Sequence, residues 1–120
     1  METITELEQK ILVRQAIAEH IDFMNSAAAK FMAERFPTLK ADRFWVEGGK
    51  KYVKIVQGHN PEGPGASVHC FVDAVTGDVY KAAGWKAPAL NGARYNLLDA
   101  DSLALLRERF DVYGSYLYKR

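Results

Sequence analysis

The segment from Trp85 to Asn96 carries the kinds of side chain that hold a nucleotide. The Trp85 indole offers a flat face on which a base can stack, a contact that contributes about 1–3 kcal/mol in nucleic-acid complexes. Lys86 and Arg94 can pair with phosphate, and an arginine does so through two parallel hydrogen bonds. The amide of Asn96 presents donors and an acceptor that match a base edge or a ribose. Together these residues predict a binding site for a small phosphorylated purine.

Trp85, and a basic cluster earlier in the chain, also allow interpretations without a ligand. Trp85 can fill the core, with Pro88 stiffening the chain as it leaves the preceding strand. The basic cluster of Lys50, Lys51 and Lys54 is either a solvated hairpin whose lysines protect a sheet edge or a set of phosphate contacts. The residue pattern leaves both alternatives open.

Residues that usually carry catalysis or bind metals are few and poorly spaced. Cys70, the single cysteine, lies in an alternating strand, which is typical of a buried structural thiol. The three histidines are far apart, and neither a metal-binding spacing nor a phosphate-binding glycine motif occurs. We therefore expect no catalytic residue, no metal site and no cofactor. A nucleotide-cleaving enzyme that uses His69 with Asp73 or Asp78 is the remaining catalytic hypothesis.

Length and composition are those of one ordinary globular domain. The 120 residues are 48% hydrophobic, which is enough for a single core over residues 1–120. Sixteen basic and fifteen acidic residues leave a net charge of +1, which disfavours a surface that coats nucleic acid. No apolar run approaches the length of a membrane span, and the acidic N-terminus differs from a signal peptide. We expect a cytoplasmic protein without a membrane partner.

The first 36 residues are predicted to form one long helix. Thr3 and Glu6 have the spacing of a capping box, and Pro37 ends the helical pattern. Steps of mostly three or four separate the apolar residues Ile4, Leu7, Ile11, Ile17, Ile21, Met24, Ala28 and Phe31. A second apolar face consists of Leu12, Val13, Ala16 and Ala27. A second apolar face predicts helix packing between subunits, and the alternative is a helix that is buried across its own sheet.

The remainder of the chain is predicted to form an antiparallel sheet and a small helix. Short alternating segments over residues 43–83 predict four antiparallel strands. Residues 84–98 are assigned to a ligand-binding loop, because they contain Pro and Gly and follow neither period. Residues 99–120 are expected to form a short helix capped by Asp99 and a final strand near the end. This order of elements predicts an α+β fold with the long helix packed on the sheet.

Several motifs resemble those of a group of small phage and prophage proteins. They are Val68-His69-Cys70-Phe71-Val72-Asp73, Thr76-Gly77-Asp78-Val79-Tyr80-Lys81, Trp85-Lys86-Ala87-Pro88-Ala89 and Arg94-Tyr95-Asn96. The group is similar to the first described family of phage anti-Thoeris proteins. The resemblance covers roughly residues 50–100.

The resemblance implies a non-catalytic sponge that works in the cytoplasm of the infected bacterium. Such proteins bind the cyclic ADP-ribose isomer made by a bacterial TIR defence enzyme, so that the signal no longer activates the defence effector. The aromatic residue of the third motif stacks on the ligand and the asparagine of the last motif hydrogen-bonds it, which implicates Trp85 and Asn96. Members are homo-oligomers whose pockets combine a long N-terminal helix with a β-sheet across subunits.

A phage accessory protein that acts by binding protein or nucleic acid is the alternative function. Its surface would combine exposed aromatic residues with the basic cluster described above. The candidate aromatic residues are Phe44, Trp45, Tyr116 and Tyr118.

Overall fold

The computed structural model describes residues 4–59 and 65–118, and it confirms the predicted α+β fold. The elements are α1 (Ile4–Arg35), β1 (Arg43–Glu47), β2 (Tyr52–Gly58), β3 (Ser67–Asp73), β4 (Asp78–Lys81), β5 (Tyr95–Asn96), α2 (Ala100–Arg109) and a short 3-10 helix (Ser115–Leu117). The five strands follow one another across the sheet in chain order, and every neighbouring pair is antiparallel. Thr3 of the predicted capping box lies outside the described residues.

The buried stripe of α1 differs in part from the predicted one. It consists of Val13, Ile17, His20, Met24 and Ala28, again at steps of three and four. Leu7 and Ile11, which were predicted to face the core, are half exposed. A helix of 32 residues is about 48 Å long. Lys10 and Arg14 already lie beside the connection between β1 and β2, so the turns before them extend past the end of the sheet.

Asn25 attaches the middle of α1 to the edge of the sheet. Its Nδ2 donates to the Phe44 carbonyl at 3.2 Å, and the Phe44 N–H donates to Asn25 Oδ1 at 2.7 Å. The amide therefore pairs with the outer edge of β1 as a neighbouring strand would.

A bulge in β3 changes which side chains face the core. Ile55 pairs with Cys70 but Val56 pairs with Val68, so His69 is the additional residue on β3. His69 and Cys70 are both buried as a result. The alternating pattern predicts opposite faces for these two residues. In the structure the His69 ring instead packs edge-on against the core residue Phe44, with ring centres 4.9 Å apart.

The final strand predicted at the C-terminus does not form over the described residues; residues 119–120 lie outside them. A 3-10 helix stands at Ser115–Leu117 because Asp111 and Gly114 close a turn in front of it. Asp111 Oδ1 accepts from the Tyr113 and Ser115 N–H groups, at 2.9 and 3.3 Å, and Gly114 adopts a left-handed φ of 79°. The fifth strand is β5, inside the segment that was predicted to be a ligand loop.

Candidate functional site

Trp85 is 47% exposed and lies outside the core, so the interpretation that it fills the core is wrong. The Lys54 ammonium stands 4.4 Å from the centre of its ring, a cation–π contact between β2 and the loop after β4. A bridge between Ala82 and Pro88 closes this loop. Trp85 forms one side of an open groove of about 320 Å³, and Lys86 beside it is exposed. The indole face is therefore already covered in part by a cation of the same chain.

Arg94 joins the loop to the C-terminal segment. Its Nε donates to the Leu117 carbonyl at 2.7 Å, and its Nη1 donates to Asn91 Oδ1 at 3.1 Å and to the Gly92 carbonyl. Arg94 also lines a cavity of about 230 Å³ together with Arg109 and Tyr118. These contacts give the guanidinium a structural role in the isolated chain.

The side chain of Asn96 has partners for its whole hydrogen-bonding capacity. Its Nδ2 donates to the Thr76 carbonyl at 2.9 Å and to Asp78 Oδ1 at 2.8 Å. Its Oδ1 accepts from the N–H groups of Leu98 and Asp99, at 2.8 and 3.0 Å. Two donors and two lone pairs are all that an asparagine amide offers. Asn96 therefore holds the turn between β5 and α2 against the beginning of β4.

The structure does not bring Trp85 and Asn96 to one pocket within a single chain. Asn96 pairs with Asp78 at the beginning of β4, whereas Trp85 follows the bridge at Ala82, beyond the end of that strand. The four residue-to-residue steps from Asp78 to Ala82 span about 13 Å. Trp85 and Asn96, which were predicted to contact one ligand, thus lie at opposite ends of β4.

A different part of the molecule contains a cavity of about 680 Å³, within the size range of small-molecule sites. It lies between the C-terminal half of α1, the α1–β1 connection, the end of β2 and the segment after α2. Its lining residues are Ala28, Met32, Phe36, Leu39, Lys40, Asp42, Gln57, His59, Val112 and Tyr113. We call it the α1–β2 cavity.

One wall of the α1–β2 cavity is aromatic and aliphatic, and much of it faces solvent. Phe36, Leu39 and Tyr113 are 43%, 60% and 76% exposed. The Phe31 ring supports this wall from behind, with its centre 6.4 Å from that of Phe36 and 6.0 Å from that of Tyr113. Exposed apolar side chains grouped around one concavity are typical of a surface that binds something.

The opposite wall of the cavity is polar and leads into a buried hydrogen-bond network. Gln57 Nε2 donates to Asp42 Oδ2 at 3.0 Å and to the Val112 carbonyl at 2.8 Å. Gln57 Oε1 lies 3.0 Å from His69 Nδ1, and His69 Nε2 lies 2.6 Å from the Tyr116 hydroxyl. A chain of four side chains therefore runs from the cavity to the core.

The partners of Gln57 determine the tautomer of His69, and burial determines its charge. A carbonyl and a carboxylate only accept, so the Gln57 nitrogen faces Val112 and Asp42, and its oxygen accepts from His69 Nδ1–H. His69 Nε2 is then the acceptor for the Tyr116 hydroxyl. Burial lowers the pKa of His69 to about 4, against a smaller opposing effect of the Asp111 carboxylate. His69 is a neutral imidazole at pH 7, with both ring nitrogens engaged.

His20 is a second buried histidine with a lowered pKa. Its ring is fully buried beside Phe23, and neither nitrogen has a hydrogen-bond partner among the described residues. Burial, followed by the charge of Arg107, lowers the pKa of His20 to about 4. The Arg107 guanidinium stacks 5.2 Å from the centre of the Phe23 ring. His20 is therefore uncharged at neutral pH, and the contact between Phe23 and Arg107 joins α1 to α2.

The cysteine thiol and the potential metal ligands, which are often functional in other proteins, are protonated or far apart in the described part of this structure. Cys70 is buried, and burial raises the pKa of its thiol to about 12, so it stays protonated. Within the described ranges, no three His, Cys, Asp or Glu side chains lie close enough together to hold a metal ion. No helix in residues 4–59 or 65–118 is long and apolar enough to cross a bilayer.

The sequence matches the model of a family of unknown function, DUF7717, over residues 2–119. The chain belongs to the DUF7717 family. No curated protein and no solved structure matches it. The α1–β2 cavity, the Gln57 network and the Trp85 loop are thus structural features of a DUF7717 domain.

Sequence reasoning missed the α1–β2 cavity because its residues come from four separate segments. Lys40, Asp42 and Tyr113 stand in connections that have no period. Gln57 resembled an ordinary polar residue at the end of a strand. One pattern in the sequence could have indicated the cavity: the apolar residues Phe36 and Leu39 stand on either side of Pro37, directly after the end of α1. Apolar residues in such a position either pack into the core or line a site on the surface.

Proposed function

We propose that this protein binds a nucleotide-sized ligand in the α1–β2 cavity and holds it without cleaving it, as a sponge for a cyclic nucleotide signal. The observation that carries the proposal is the cavity itself, in which an exposed aromatic wall faces a polar one. The class of ligand, a cyclic ADP-ribose isomer, is inferred from the sequence resemblance. An anti-defence role in an infected bacterium follows from that inference.

The two walls of the cavity suit the two halves of a nucleotide. Met32, Phe36 and Tyr113 form a surface on which a purine can stack. Lys40 supplies a cation for phosphate. His59 and Asp42, 3.4 Å apart, offer donors and acceptors for ribose hydroxyls. Aromatic and polar groups placed on opposite sides of a cavity fix the orientation of such a ligand.

The chemistry of the site supports sequestration over turnover. His69, which lies behind Gln57 in the polar wall, is neutral, and both of its ring nitrogens are hydrogen-bonded, to Gln57 and to Tyr116. The Cys70 thiol is buried and protonated. A sponge needs complementarity only to its ligand and none to a transition state. The proposal therefore assigns no residue to bond cleavage.

Replacing Tyr113 by alanine is expected to weaken ligand binding about tenfold or more, because it removes a stacking surface. The measurement is calorimetric titration with cyclic ADP-ribose isomers from an activated TIR enzyme, followed by heat release and mass analysis of the ligand. Recovery of unaltered ligand supports sequestration, and recovery of a cleaved product contradicts it. Tyr113 is 76% exposed, so the variant keeps its fold.

Two matched variants separate the α1–β2 cavity from other surfaces. Tyr118→Ala removes a similarly exposed tyrosine outside the cavity and is expected to bind normally. Trp85→Ala tests the loop that the resemblance implicates. Normal binding by Trp85→Ala supports the cavity. Loss of binding in Trp85→Ala together with normal binding in Tyr113→Ala would move the ligand to the Trp85 loop.

We also propose that the chain forms a homo-oligomer through the N-terminal half of α1. Leu7, Ile11 and Leu12 are each about half exposed, at 52%, 51% and 51%. All three lie within the first nine residues of α1. Large apolar side chains grouped on an unpartnered helix are the usual basis of helix pairing between subunits.

An Ile11→Asp variant is expected to dissociate this oligomer, because a carboxylate cannot be buried between apolar helices without a partner. Light scattering after size-exclusion chromatography should show a multiple of 13.5 kDa for the natural chain and 13.5 kDa for the variant. Ala18→Asp adds the same charge to an exposed position of the same helix and serves as the control. A natural chain that elutes as a monomer at micromolar concentration would refute the oligomer.

A further inference from the structure

A second cavity, of about 460 Å³, lies between the N-terminal half of α1 and the connections at one end of the sheet. Its lining residues are Lys10, Arg14, Gly49, Lys50 and Ala74. Three of the five are cationic, and they come from two different elements. We call it the basic cavity, and we propose that it binds a small anion with adjacent phosphate groups, such as a diphosphate.

Two of the three cations at the basic cavity have no ion-pair partner among the described residues. No carboxylate of the described residues lies within ion-pair distance of Arg14 or Lys50. Like charges gathered at one concavity repel one another, and a bound anion removes that repulsion. The two residues would contact an anion in different ways. Arg14 can bind two phosphate oxygens at once, whereas Lys50 acts as a point charge.

The backbone fixes the position of Lys50 at this cavity. A Cβ on Gly49 would lie 2.0 Å from the Tyr52 carbonyl oxygen, so only glycine allows the tight connection between β1 and β2. The adjacent connection between β3 and β4 is held to it by a hydrogen bond from the Ala74 N–H to the Lys51 carbonyl, at 2.9 Å. Lys50 thus stands on a braced turn that faces the cations of α1.

The basic cavity is separate from the α1–β2 cavity and does not depend on the proposed function. Arg14 and Ala28 line the two cavities, and 14 residues of helix between them span about 21 Å. A net charge of +1 for the whole chain means that the cationic surface is local. A local cluster of three cations matches a compact anion better than it matches a long nucleic acid, which needs a continuous positive surface.

Titration of the full chain with pyrophosphate at low salt tests the proposal. Arg14→Gln combined with Lys50→Gln is expected to weaken binding by about tenfold or more, the loss typical of removing charge-assisted hydrogen bonds. Lys30→Gln combined with Arg43→Gln removes the same charge from exposed positions elsewhere and should leave the affinity within about twofold. Both pairs lie on the surface, so circular dichroism should show the natural fold in each.

Three outcomes would overturn the proposal. The first is no detectable pyrophosphate binding by the natural chain. The second is an equal loss in both double variants, which would mean that the anion responds only to overall charge. The third is tight binding of a single-stranded oligonucleotide without binding of pyrophosphate, which would assign these cations to nucleic acid. None of these results affects the Tyr113 test of the α1–β2 cavity, so the two proposals fail separately.

Discussion

The free energy of unfolding is expected to fall by about 6 kcal/mol when the pH is lowered from 7 to 4, because His20 and His69 are buried as neutral imidazoles. Burial lowers the pKa of each from 6.5 to about 4. A shift of this size corresponds to about 3 kcal/mol for each histidine. Small domains are stable by about 5–15 kcal/mol, so acid should remove much of the total.

The direction of this effect follows from where the protons bind. Above pH 6.5 both histidines are neutral in the folded and the unfolded chain, and their stabilising contribution is complete. Between pH 6.5 and 4 the unfolded chain binds protons that the folded chain does not, so stability falls as the pH falls. Below pH 4 the folded chain is protonated as well, and the loss is complete.

Urea denaturation followed by tryptophan fluorescence at several pH values measures this dependence. A His20→Leu variant should lose about half of the pH dependence, since it removes one of the two buried imidazoles. His59→Leu, which removes an exposed histidine by the same substitution, is the matched control. A natural chain whose stability is the same at pH 7 and pH 4.5 would show that the histidines are not buried as described.

Replacing Gln57 by leucine is expected to cost about 3 kcal/mol of stability at pH 7. The change leaves the Val112 carbonyl and the His69 Nδ1–H without the partners that they have at 2.8 and 3.0 Å. Each buried polar group that loses its partner costs about 1–3 kcal/mol. Leucine has a similar volume, so the loss reports the hydrogen bonds more than the packing.

Gln15→Leu provides the comparison, because Gln15 is exposed on α1 and its replacement should change stability by less than about 0.5 kcal/mol. Chemical denaturation of both variants at pH 7 gives the two values. If Gln57→Leu were as stable as the natural chain, the network from Asp42 to Tyr116 would have no net role in folding. The pH dependence of the Gln57→Leu variant should also change, since His69 Nδ1 loses its acceptor.

The order and type of the main elements were predictable because each leaves a local signal. Pro37 ended α1 close to the observed Arg35, and Asp99 caps α2 by accepting from the Asp101 N–H at 3.1 Å. Alternation located four strands. The two-residue β5 left no such signal, since it depends on pairing with β4, which is distant in the chain, and the 3-10 helix at Ser115–Leu117 is too short to show a period.

The candidate site was less predictable because it depends on register. Alternation predicts that His69 and Cys70 point to opposite faces, and the bulge that turns both inward is a property of the pairing with β2. Asn96 has the amide expected of a ligand contact, yet Thr76 and Asp78 use that amide inside the fold. A residue type indicates which bonds are available, and only the fold decides which partner takes them.

The contact between Asn25 and Phe44 has a consequence for aggregation. Open strand edges are the places where sheets of different molecules join into fibres, and proteins usually obstruct them. Here one edge is the two-residue β5, which is too short to template another strand, and at the other edge a helix side chain occupies the outward N–H and carbonyl of Phe44. Growth of the sheet from chain to chain is thereby hindered at both ends. The exposed apolar side chains Leu7, Ile11 and Leu12 of α1 are then the surface left for the self-association proposed above.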